Sequence, residues 1–159
     1  MTRLPIQTEQ RYKAPTAVQF SIFLANRVGQ LKEMLDFMVS QDVAIVGLSI
    51  VDSTDWAVIR LVFQVSEKGK AALRKHNTPF TESEVLLVRL SGQESMAAVC
   101  GLLLRAEINV HFAYPLIVQH QGLPIMVFHV DDLVASREVL LRHHITLLGE
   151  EDLSPGLTG

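Results

Sequence analysis

Residues 23–34, FLANRVGQLKEM, set an asparagine, an arginine and a glycine where an apolar run gives way to helical spacing. A plain turn would explain Gly29 taken alone. The whole stretch can do more. Asn26 can accept a hydrogen bond from an ammonium and donate one to a carboxylate, which suits a zwitterion. A glycine lets backbone approach a ligand closely. A helix beginning here would present unpaired N–H groups and the positive end of its dipole, the right partners for a free carboxylate. That dipole contributes about 0.3–1 kcal/mol when exposed and about 2 kcal/mol when partly buried. Binding would therefore need a second wall. The candidate binding residues are Asn26, Arg27, Val28, Gly29, Gln30 and Leu31.

Other residue types could also do chemistry. Cys100 could act as a nucleophile, but it falls on an apolar helical face, and core packing is expected there. A hairpin centred near residue 120 sets His111 across from His129. Two imidazoles could hold zinc or copper with a third ligand from a partner chain. The expected reading is a half-buried interface pair and no metal. His76, His143 and His144 end predicted helices, where positive charge suits the dipole. Trp56 is expected in the core, and Asp52, Ser53, Thr54 and Asp55 in a polar turn. Arg60 alternates onto an outer sheet face, where burial would call for a carboxylate partner. The templates GxxxxGK[ST], GxGxxG, GxSxG, HExxH and CxxC do not occur.

The elements that must position these residues fit a chain of 159 residues, long enough for one domain or two small ones. Apolar residues make up 48% and charged residues 19%, a core-rich globular composition. The net charge of −3 leaves no basic surplus for nucleic acid. No apolar run approaches the roughly 20 residues of a membrane helix. The start, MTRLPIQTEQRYK, lacks the apolar stretch of a signal peptide, and a single cysteine excludes an internal disulfide framework. A cytoplasmic protein with no membrane or nucleic-acid partner is expected.

The chain also repeats itself. Leu31, Met34, Leu35, Met38 and Val39 lie on one helical face, and a shift of 65 residues returns Met96, Val99, Cys100, Leu103 and Leu104. Each half reads strand, helix, two strands, helix, short strand. The strands are expected at 18–25, 43–52, 56–65 and 78–82, then at 84–90, 109–119, 122–130 and 145–148. The helices are expected at 29–41, 67–76, 94–106 and 131–143. The order βαββαβ predicts an α+β fold of two tandem ferredoxin-like repeats, antiparallel sheets with helices on one face. Val58, Val62, Ile125 and Val127 make the other face apolar, so it should be buried against another copy or against the other half. The expected organisation is an arm at 1–17, repeats at 18–82 and 83–149, and a tail at 150–159.

The stretch FSIFLANRVGQLKEMLDFMVSQDVAIVGLSI, followed by SIVDSTDWAVIRLVF, resembles an ACT domain, the small regulatory module that binds amino acids. The match rests on a strand–Asn-x-x-Gly-x-Leu–helix junction, here Asn26, Gly29 and Leu31. Two tandem copies cover residues 18 to about 148. The resemblance implies a stand-alone, non-catalytic regulatory protein without cofactor. It would bind a small amino acid at the repeat 1 junction, against a neighbouring module. Members that bind amino acids often open the second strand with an asparagine beside the ligand. Repeat 1 has Ala44 there, whereas repeat 2 has Asn109, a candidate second contact. In repeat 2 the loop carries Ser91 and Glu94 in place of Asn26 and Gly29, and a carboxylate there would repel a ligand carboxylate. A homodimer is expected, because ferredoxin-like modules leave a sheet face and two edges open. The alternative is a ligand-free interaction subunit of an amino-acid metabolic enzyme.

Overall fold

The structure, a computed structural model, describes residues 15–25, 27–92 and 95–154. The elements run β1 (Ala17–Leu24), α1 (Arg27–Ser40), β2 (Ile45–Asp52), β3 (Ala57–Phe63), α2 (Ser66–Lys75), β4 (Phe80–Arg89), α3 (Ser95–Arg105), β5 (Val110–His120), β6 (Leu123–Val130), α4 (Leu133–Arg142) and β7 (Leu147–Leu148). A 3₁₀ turn, Glu150–Leu153, follows. This is the expected βαββαβ order, twice. No helix among the described residues is long and apolar enough to cross a membrane.

The two repeats share a strand. Separate strands at 78–82 and 84–90 were expected, but β4 runs unbroken from Phe80 to Arg89. No glycine or proline interrupts the stretch, so nothing breaks it. Its first half, to Val85, pairs with β1 and closes repeat 1. Its second half, Leu86–Arg89, pairs with β6 and opens repeat 2, while β7 pairs at Leu87 and Val88. The expected boundary between 82 and 83 thus falls inside one strand. All pairings are antiparallel, in the order β2-β3-β1-β4-β6-β5.

Three apolar clusters explain the layering. One lies under α1 and α2, with Phe20, Ile22, Met34, Met38, Leu61, Phe63 and Leu73. Another lies under α3 and α4, with Leu86, Val99, Leu103, Phe128 and Leu140. The third is built from the helix-free faces of both halves: Ala17, Val46 and Val62 meet Tyr114, Ile125 and Val127. The terminal strands β2 and β5 therefore meet face to face. The approach is close, since a Cβ on Gly47 would come within 2.5 Å of the Leu116 Cδ2. The layers run helix, sheet, sheet, helix. Apart from Val58, the apolar outer face is covered by the chain's own second half, so of the open face and edges on which a homodimer was expected the edges remain.

The four helices among the described residues end alike. Asp42, Asn77, Glu107 and His144 each take a positive φ two residues past a helix. The next residue's N–H then bonds back, as in Val43 to Met38 O and Ile145 to Leu140 O, which satisfies the open carbonyls. The β5–β6 hairpin turns on Gln121 and Gly122, both at positive φ, as a two-residue hairpin requires.

Four expectations are corrected. Val39 and Leu104 are 78% and 75% exposed, and Cys100 is exposed. Each follows a buried residue and is turned about 100° from it around the helix, beyond the buried stripe. Trp56 is 53% exposed because it sits in the turn before β3, where its carbonyl accepts from Ser53. The tail does not begin at 150: Leu153 is buried in the central cluster, and Glu150 Oε1 accepts from the Ser66 N–H. Nor does the arm reach 17, because Ala17 is buried at the start of β1.

Candidate functional site

The candidate site lies where β1 hands over to α1. Helix α1 begins at Arg27, two residues earlier than its spacing suggested. Arg27 to Leu31 are therefore its first turn, and the junction is shorter than a loop through Leu31. Asn26 lies outside the described residues. Val28 is 84% exposed, and Gly29 and Gln30 are also exposed. Nothing stands within 4 Å of a Cβ built on Gly29, so the glycine leaves open surface rather than relieving a clash. Leu31 turns inward and packs on the repeat 1 core. The first turn is thus anchored by Leu31 and Met34 and open above.

Below it is a hollow of about 300 Å³, lined by Phe23, Leu24, Gln30, Glu33, Met34 and the turn His76–Pro79. Of the expected binding residues, Gln30 lines it. Glu33 was not singled out from sequence, and His76 was read there only as a helix-end residue. The signal was present in α1, because positions 30, 33 and 37 share a helical face. His76 shares a 2.8 Å hydrogen bond with Thr78 Oγ1, approaches Glu33 to 3.6 Å and lies against Phe37. It caps α2 through its backbone N–H while its side chain walls the hollow. A second hollow beside β1, about 520 Å³ and mostly apolar, is lined by Phe23, Ser53, Trp56 and Val58.

A column of rings crosses between the halves. The Arg60 guanidinium stands 3.8 Å above the Phe112 ring. Phe112 stacks on His129 at 4.7 Å, and His129 lies 5.3 Å from His111. The histidines are neighbours, as expected, although a bulge shifts the register so that Phe112 directly opposes His129. The carboxylate sought for Arg60 is replaced by an aromatic face. Burial, then His111, then Arg60 hold His129 below its ordinary range. Tyr114 donates a 2.6 Å hydrogen bond to Gln19 across the halves, and burial pushes its hydroxyl up. Among the described residues no cluster of three His, Cys, Asp or Glu side chains forms.

A family model described as "ACT domain pair" matches residues 15–156. The chain belongs to this ACT domain pair family. Its fold is shared with protein BT0572 from Bacteroides thetaiotaomicron, at 22% identity and TM-score 0.78, over 87% of this chain and 95% of that one. It is also similar to the regulatory subunit of aspartate kinase from Thermus thermophilus in its ligand-free form, at 10% identity and TM-score 0.53, over 82% and 93%. The corresponding Thermus flavus subunit aligns at 11% identity and TM-score 0.52, over 83% and 94%. No curated protein matches by sequence.

The second ACT repeat places its candidate residues apart. Ser91 and Ser95 sit at the β4–α3 junction, joined through their hydroxyls at 3.2 Å. Helix α3 then carries the chain back along the sheet. Asn109 therefore stands at the opposite end, where its backbone N–H donates to Asp131 Oδ1. Gln93 and Glu94 lie outside the described residues. In the first ACT repeat Ala44 occupies the matching far end and is exposed.

Proposed function

We propose that this ACT domain pair is a non-catalytic, cytoplasmic regulatory protein. It binds a small amino acid at the β1–α1 junction of repeat 1, through Asn26, Arg27, Val28, Gly29, Gln30 and Leu31, against a neighbouring module. The observation that carries the reading is the open first turn of α1. Its backbone is bare at Gly29, with a half-enclosed hollow beneath Gln30. The helix end suits a ligand carboxylate, and Glu33 offers a counter-charge for its ammonium. Family membership and the regulatory subunits that share the fold support a role without catalysis.

A second reading, an interaction subunit of an amino-acid metabolic enzyme, is favoured by one specific feature. Phe23 and Trp56 are 54% and 53% exposed around the apolar hollow beside the junction. Under either reading a homodimer would use this rim, since the helix-free faces are otherwise occupied.

The test is thermal unfolding against the twenty amino acids at millimolar concentration. A ligand at about 100 times its dissociation constant adds about 2.7 kcal/mol. A rise of roughly 5–10 °C confined to one or two amino acids is expected. It should disappear in a chain carrying Asn26→Ala and Gly29→Ala. A shift that survives both substitutions contradicts the site. A flat panel favours the interaction subunit.

A further inference from the structure

Repeat 2 leaves one end of the repeat 1 sheet uncovered. Strand pairing sets Phe23 beside Val58 and Val58 beside Val51, one row across β1, β3 and β2. Val62 points to the same side of β3 and is buried in the central cluster. The row at Val58 lies beyond that cover, with Phe23 and Val51 half-exposed and Trp56 half-exposed next to it. Phe23, Trp56 and Val58 line the apolar hollow of about 520 Å³ together with Ser53. Arg60 follows on the same face of β3, but its guanidinium is held over the Phe112 ring. The turn Asp52–Asp55 sets two carboxylates beside the hollow. A contiguous apolar patch with a polar rim marks a docking surface, and here the rim is acidic.

An occupant of matching chemistry is present in the same chain. Residues 1–14 lie outside the described residues and precede β1. Their sequence, MTRLPIQTEQRYKA, joins Leu4, Ile6 and Tyr12 to Arg3, Arg11 and Lys13, against the single acid Glu9. The apolar groups suit the hollow, and the cationic surplus suits the acidic turn. The length suffices as well. Thr16 is fixed where its carbonyl accepts from the Glu150 N–H. From Ala17 to Phe23, β1 covers about 20 Å at the usual rise of a strand. A segment of this length spans up to about 46 Å when extended, enough to pass round the second repeat.

We infer that residues 1–14 fold back over their own chain and dock on this patch, apolar side chains against Phe23, Trp56 and Val58 and cations toward Asp52–Asp55. The segment then covers the rim that a second copy or a partner would use, and either must displace it. The inference does not depend on amino-acid binding at the β1–α1 junction.

Trp56 is the only tryptophan of the chain, so its emission reports on the hollow. In the full-length chain, Leu4→Ser combined with Ile6→Ser should shift that emission to the red and raise its quenching by acrylamide. Val134→Ser, on the exposed side of α4, should change neither. A full-length chain with photoreactive benzoylphenylalanine in place of Ile6 gives an independent readout. Illumination of a mixture of isotope-labelled and unlabelled chains should yield crosslinks to residues 51–58 or Phe23, within single chains. Emission unmoved by the double substitution, crosslinks absent or confined to other surfaces, or crosslinks that join labelled to unlabelled chains would overturn the inference. The last result would assign the patch to the segment of a second copy.

Discussion

Tyr114 and Gln19 lie 95 positions apart in the chain, yet they share a buried 2.6 Å hydrogen bond. Tyr114→Phe would leave Gln19, 1% exposed, short of its partner. The cost should be about 1–3 kcal/mol. A lower denaturant midpoint at unchanged slope would confirm it; an unchanged midpoint would count against the bond. His129 sets a pH dependence. Its folded-state pKa lies below the ordinary 6.5, so the unfolded chain binds more protons as pH falls through that value. The folded state therefore loses stability as pH falls from about 6.5 toward the folded pKa, and the penalty is fully present below it. Above about 6.5 the effect vanishes. His129→Gln should flatten this slope in melts across pH 5 to 8, whereas an identical slope would contradict the assignment. Hairpin symmetry made the pairing of His111 with His129 legible, apart from a bulge that only the folded register reveals. The partner of Arg60 was not legible, because Phe112 belongs to the other repeat and periodicity does not say which faces meet.

Helix α2 lies so close to β3 that a Cβ on Gly69 would collide with the Phe63 ring. Gly69→Ala should therefore destabilise by about 1–3 kcal/mol through overpacking, despite alanine's better helix propensity. Gly29→Ala, in an equally helical but open setting, should be neutral or stabilise by up to about 1 kcal/mol. Paired thermal melts separate the two glycines, and similar shifts in both would contradict the packing. Element order and type were legible from the repeat, because each amphipathic face recurs after 65 residues. The merging of two strands into β4 was not, since both halves of an unbroken strand fit either repeat. The helix ends were legible to within one residue, since 41, 76, 106 and 143 were expected and the helices stop at Ser40, Lys75, Arg105 and Arg142, even though Asp42, Asn77, Glu107 and His144 occupy positions where glycine is the usual signal.

At the scale of the molecule, the shared β4 and the central cluster join the repeats into one body. The apolar pattern of Val62, Ile125 and Val127 foretold a covered face, and their burial against the other half shows what covers it. A ligand at the repeat 1 junction would therefore act on a unit whose halves share β4 and the central cluster. It would act by favouring one arrangement of that unit with its partner, which requires different affinities for the two arrangements. Of the proposed site, the strand–helix junction was named from residue order, whereas the hollow lined by Glu33 and His76 required α2 and α1 to be packed together. The most direct test follows backbone amide signals of an isotope-labelled chain as the amino acid that raises its melting temperature is added. Saturating shifts concentrated at Arg27 to Leu31, with smaller ones at Glu33 and His76, are predicted. Saturating shifts elsewhere that leave Arg27 to Leu31 unmoved would contradict the site.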